Sequence, residues 1–207
     1  MDINWVQLLF FIIIIIPSAI LHEWAHGFAA DKLGDPTPRL SGRLTINPIP
    51  HIDPWGTIVL PFLLSILTQG AFLFAYAKPV PFNPLALRLR RFGPAIVGIA
   101  GPIANLVLAF SLGAVVRSLE ISSFTVFLSL VVYANVLLAV FNLIPIPPLD
   151  GSHILFSLLP DRFYAFKTWL MRYGYIILIF FLIFLFDWLQ PVMAFFYRAA
   201  TGQAGFY

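Results

Sequence analysis

Long apolar runs separated by short polar gaps set the pattern of this chain. A run of about 20 apolar residues lets a helix cross roughly 30 Å of hydrocarbon. The pattern predicts a first helix over residues 5–32, stopped by Gly34 with Pro36 and Pro38 beyond it. Pro17 inside that run predicts a kink. Three further spans are expected over 94–116, 124–144 and 173–189. The polar stretch 31–56 is rich in Pro and Gly, and the alternation in "RLSGRLTINPIP" predicts short extended strands, a loop or small β-hairpin at the membrane surface. The block 57–77 has the length of a span but is interrupted by Pro61 and by Gln69-Gly70. No internal repeat is visible.

Charge decides how that block runs. Basic residues near span ends favour the cytoplasm. They mark three loops: Lys32, Arg39 and Arg43; Lys78, Arg88, Arg90 and Arg91; and Arg162, Lys167 and Arg172. A full crossing by 57–77 would put the first two loops on opposite sides, so the block is expected to re-enter or form a tight hairpin, with one more ordinary crossing as the alternative. Such backbone is tolerated at membrane depth where other helices cover it. The N-terminus and the loop around Glu120 then face outward. Asp2 stands where a cleavable signal would be basic.

Composition agrees with the pattern. Of 207 residues, 60% are hydrophobic and 10% charged, and the mean hydropathy is +0.93, so an integral membrane protein is expected rather than a soluble domain. The longest polar gap, about 25 residues, leaves no room for a folded extramembrane domain, and one domain over 1–207 is expected. The net charge of +3 comes from Lys and Arg scattered through loops, which argues against nucleic acid as a partner. Cysteine is absent, leaving His, Asp and Glu as the strong metal ligands.

The polar residues that matter follow the isoleucine run. His22, Glu23 and His26 form His-Glu-x-x-His within an apolar helix. Four residues apart, the two histidines stand on one helical face and can share a metal, with Glu23 about 100° round from His22. This is the spacing of a zinc metalloprotease helix, in which the glutamate serves as general base. A chance match would have to explain three ionisable groups inside a bilayer. A third ligand is expected from Asp150, Asp53, His51 or His153. Asp150 is preferred, because Pro145, Pro147 and Pro148 break the third span just before it and irregular backbone at membrane depth lines a polar cavity. The competing reading of Asp150 is a helix cap. His153 is expected beside the site rather than on the metal, and Asn-Pro and Asp-Pro pairs around His51 and Asp53 also fit a plain turn.

With "HEWAH", "GPIANLVLA" and "NLIPIPPLDG" in order, the chain resembles the site-2 protease family of intramembrane zinc metalloproteases. "NPIPHIDPWG" and "AKPVPFNP" are similar to its compact prokaryotic branch without PDZ or CBS domains. The resemblance covers residues 13–155. It implies an all-α, multi-pass bundle with a three-helix catalytic core over about 5–155 and an accessory C-terminal helix over about 173–190. It implies one zinc per chain on His22, His26 and Asp150, with Glu23 as base and Asn142 positioning substrate or stabilising the oxyanion. Asn105 matches the second motif and either faces the site or makes an interhelical hydrogen bond; Gly98 and Gly101 fit close helix packing. His51 is expected to bind substrate or a water near the metal.

The reading that results is a zinc endopeptidase of a prokaryotic plasma or inner membrane. It would cut membrane protein substrates within or near their spans, in regulated intramembrane proteolysis. The strand-like loop at Leu44 and Ile46 is expected to pair with unwound substrate. The rival is a metal-binding transporter or sensor without hydrolysis, which has no need of Glu23.

Overall fold

The structure, a computed structural model, describes residues 5–68 and 77–203, with side chains from residue 13 onward. It is a bundle of helices, and four of them are long and apolar enough to cross a membrane. α1 (Trp5–Lys32) continues through Pro17 without interruption. α4 (Gly93–Ser118) and α5 (Ser123–Asn142) follow the second and third apolar runs. Ser122 starts α5 with a capping box shared with Thr125, supplying acceptors to otherwise orphan N–H groups. α7 (Tyr164–Phe184) begins well before the expected 173–189. Its first turns carry Lys167, whose Nζ donates to Leu159 O, and Arg172, whose guanidinium lies over the Tyr173 ring. Long basic side chains with such outlets sit at a membrane boundary without ending the helix.

α4 is the central element, packed on α1 and α5 and on two shorter helices, α6 (Gly151–Leu158) and α8 (Gln190–Thr201). Small residues permit this: a Cβ on Gly113 would lie 2.5 Å from Ala200 O of α8. Ala109, Val132, Val136, Met193 and Tyr197 bury one core between α4, α5 and α8. Ile14, Ile15 and Ala134 bury a second between α1 and α5.

The polar stretch after α1 is helical and turned rather than extended. Among the described residues there is no strand, and the expected β-hairpin is replaced by α2 (Thr37–Leu40), turns, and a 3-10 turn over Ile49–His51. Pro36, Pro38, Pro48 and Pro50 remove the donors a ladder needs. Asp35 binds Thr37 N at 3.0 Å, and Asn47 Oδ1 binds Ile49 N at 3.1 Å, closing local turns instead. Thr45 O is bonded to His51 Nε2 at 2.8 Å, so this backbone is already engaged. The strand expected at Leu44 and Ile46 is not formed, and residues 44–46 are bends.

The next block starts as a π-helical turn (Pro54–Val59) and runs into α3 (Leu60–Leu67), too short together to cross. The interruption at Gln69-Gly70 lies outside the described residues. The two ends of the block meet, because Lys78 N donates to His51 O at 2.8 Å. A single crossing would separate them by roughly 30 Å, whereas the two described ends of the block lie together.

Candidate metal centre

The helix α1 carries His22 and His26 inward on one face, and the break after α5 brings Asp150 against them. Between Asn142 and Gly151 the chain folds into consecutive turns, with Leu149 N on Ile146 O at 2.9 Å and Ser152 N on Leu149 O at 3.0 Å. Gly151 allows this: a Cβ there would lie 2.2 Å from Leu143 O. Asp150 precedes α6 but its side chain caps nothing. Its Oδ2 instead lies 3.0 Å from His22 Nε2 and 3.2 Å from His26 Nε2, and the two Nε2 atoms are 3.0 Å apart.

The outer nitrogens decide what those Nε2 atoms carry. His26 Nδ1 lies 2.7 Å from Val97 O, a pure acceptor, so Nδ1 holds the proton. For His22 the argument runs through a buried network. Asn135 Nδ2 donates to Val131 O and to Ser18 Oγ, turning its Oδ1 toward Asn105. Asn105 Nδ2 donates to that Oδ1 at 2.8 Å and to Ser18 O at 3.1 Å, which leaves Asn105 Oδ1 to accept from His22 Nδ1 at 2.6 Å. Both imidazoles thus aim an Nε2 lone pair at each other and at a carboxylate. Three acceptors converging at 3.0 to 3.2 Å repel unless a cation lies among them.

The donor set fits zinc. Two imidazoles and a carboxylate suit the ion, and bonds of about 2.1 Å in a tetrahedron set ligands roughly 3.4 Å apart. Space is kept by Gly101 of α4, where a Cβ would lie 2.5 Å from His26 Nε2 and 2.7 Å from His22 Nε2. Among the described residues, His22, His26 and Asp150 are the group of His and carboxylates able to share an ion.

The remaining candidates fall around this centre. Glu23 Oε2 accepts from Val80 N at 2.8 Å, and Val80 is buried against Gly27 one turn along α1. Residues 77–83 form a strap along this stripe. It is tied by Lys78 N to His51 O, by Val80 N to Glu23, and by Asn83 N to Asp35 Oδ2. Asn105 both joins three helices and faces a histidine. His153 packs its ring on Phe82 and stands off the metal group. Asp53 caps the turn after it, accepting from Trp55 N and Gly56 N. Asn142 donates to Leu138 O in its own helix, and no described contact joins it to the histidines. Ser18 and Asn135 were not anticipated, although a lone asparagine within an apolar span is a signal of an interhelical partner.

The profile of Peptidase family M50 matches residues 116–183. The chain is 37% identical over 178 residues to the Bacillus subtilis protein named "Putative zinc metalloprotease YwhC", covering 81% of this chain and 77% of that one. It is 35% identical over 137 residues to "Putative zinc metalloprotease Rip2" of Mycolicibacterium smegmatis, covering 65% of this chain and 51% of the relative. The match to "Putative zinc metalloprotease Cj1068" of Campylobacter jejuni is 32% over 123 residues, 56% of this chain and 30% of that protein. No solved structure gives a significant match. The 37% identity over most of both chains to the Bacillus subtilis protein, beside a histidine and aspartate cluster that could hold a metal ion, means that the chain belongs to the site-2 protease family of membrane zinc metalloproteases, peptidase family M50.

Proposed function

We propose that this zinc metalloendopeptidase of the site-2 type hydrolyses peptide bonds within or beside the membrane-spanning segments of protein substrates, in regulated intramembrane proteolysis. The carrying observation is the convergence of His22 Nε2 and His26 Nε2, on the membrane-length helix that also carries Glu23, with Asp150 Oδ2 from the break after α5. His22, His26 and Asp150 hold the ion. Zinc, when bound, supplies a Lewis acid that lowers the pKa of water toward neutrality and polarises a carbonyl. Asn105 and Val97 O hold the two imidazoles in the tautomer that offers Nε2. Val80 N–H fixes one oxygen of Glu23, and the other takes a proton from the attacking water and delivers it to the leaving nitrogen. Asn142 Nδ2 has a second proton to offer a substrate carbonyl or oxyanion. Residues 1–207 act as one membrane unit, its catalytic core within 5–155. The basic loops face the cytoplasm of a prokaryotic plasma or inner membrane.

Wild type and Glu23→Gln, purified in detergent, are compared for zinc content and for cleavage of single-span substrates. About one zinc in each is expected, with turnover lower by about 10² to 10⁴ in the variant. Equal turnover would remove Glu23 from the reaction, and loss of zinc would make it a metal-site residue instead.

A further inference from the structure

We infer that His51 forms a side-chain subsite of the substrate cleft, selective for a small group with a hydroxyl. The inference rests on the protease reading above. His51 is 1% exposed, and its Nδ1 has no hydrogen-bond partner. Its Nε2 lies 2.8 Å from Thr45 O, which can only accept, so Nε2 carries the proton and Nδ1 is a bare acceptor. A buried acceptor left without a partner costs free energy, and a donor placed there recovers it.

The surroundings limit what that donor can be. His51 lines a cavity of about 20 Å³ together with Ile16, Ala19, Ile20, Pro48 and Ala77. That volume holds one water-sized group. The cavity shares Ile16, Ile20 and Pro48 with an open apolar groove of about 540 Å³ along the outer face of α1, bounded by Ile13, Pro17, Leu21 and Ile46. On α1, positions 16, 20, 23 and 27 fall on one stripe, so the cavity lies one turn from Glu23 on the side where the strap holds it. A segment lying in the groove with its scissile bond at Glu23 can reach the cavity with one side chain. Mostly apolar walls, a water-sized volume and the unpartnered His51 Nδ1 together favour serine or threonine; the Thr57 hydroxyl, the other polar group of the lining, already accepts from Asp53 N. A water molecule has the same O–H chemistry, and the experiment separates the two.

Single-span peptides carrying Ser, Ala, Leu or Phe in turn at each position within a few residues of the cleavage site would be tested on wild type, His51→Phe and Ala19→Leu. Ala19→Leu fills the cavity from α1 and leaves residue 51 a histidine. Cleavage is read as kcat/KM, and binding to Glu23→Gln enzyme is measured separately, so that the subsite is scored even on peptides that are not cut. At one position Ser should exceed Ala by about threefold to tenfold, with Leu and Phe disfavoured. The Ser preference should vanish in both filled variants while zinc content stays unchanged. Equal Ser and Ala binding at every position would overturn the inference and leave the cavity to a resident water. Loss of the preference in His51→Phe but not in Ala19→Leu would overturn it too. Failure of wild type to cut any peptide, with a Ser preference in binding, would instead count against the protease reading alone.

Discussion

Asn105 Oδ1 lies 2.6 Å from His22 Nδ1, on the far side of the ring from Asp150, and so leaves Nε2 as the nitrogen whose lone pair His22 turns toward His26 and Asp150. Its own orientation is imposed by Ser18 O and Asn135, so a residue on α4 and another on α5 jointly set the chemistry of a histidine on α1. Asn105→Leu leaves His22 Nδ1 and Asn135 Oδ1 without the Asn105 partner each has now. Zinc affinity should fall about 10- to 100-fold, as for other residues that orient metal ligands. Retained zinc at graded free-zinc concentrations measures it, and unchanged affinity would reduce Asn105 to a helix tie.

Gly101→Ala tests the space at the centre. The added Cβ would lie 2.5 Å from His26 Nε2, where the histidines converge, yet alanine favours helix over glycine by about 1 kcal/mol. Metal loss with retained helicity is the expected outcome, read by zinc analysis and circular dichroism. Full zinc occupancy would show that the histidines can shift to make room.

Asp35 ties the end of α1 to the strap, and its effect depends on pH. Burial pushes its carboxyl up, but the Thr37 hydroxyl, Asn83 N–H and Thr37 N–H outweigh it and hold it below its ordinary value. A folded-state value below the unfolded one gives stability that is present above the ordinary carboxylate range and lost as pH falls through the folded value. Asp35→Ala should cost about 2 kcal/mol near neutral pH by removing the charged acceptor that the Thr37 and Asn83 N–H groups share. The gap between wild type and variant in detergent unfolding should hold down to about pH 4 and close below it. A gap independent of pH down to 2 would mean that the charge contributes nothing.

Legibility in the sequence followed locality. His22, Glu23 and His26 can be read from spacing alone because one helical turn relates them. Asp150 is 128 residues from His22, and only the proline break marked it; whether it capped α6 or faced the histidines depended on the turns between Asn142 and Gly151. Ser18 and Asn135 escaped because a lone polar residue in an apolar run has no spacing to announce its partner. The hairpin reading failed because alternation in "RLSGRLTI" describes side chains only, while the flanking prolines and Asx turns had already committed the backbone. α8 hides Met193, Tyr197 and Ala200, an i, i+4, i+7 stripe, in a segment too short to read as a span.

Val80 offers the sharpest separation between positioning and packing near Glu23. Its side chain packs on Gly27, while its N–H binds Glu23 Oε2 at 2.8 Å. Val80→Ala shortens the side chain and keeps the N–H; Val80→Pro removes the N–H between two existing prolines, Pro79 and Pro81, whose extended backbone a third proline can join. A hydrogen bond to a charged group contributes about 1.5 to 3 kcal/mol, so if it holds the carboxylate in its reactive orientation, Val80→Pro should lose about 10- to 100-fold in kcat. KM and zinc content should stay close to wild type, and Val80→Ala should retain most of its turnover. Equal losses in the two variants would mean that the strap acts through packing alone, and a rise in KM confined to Val80→Pro would place the strap on the substrate rather than on Glu23.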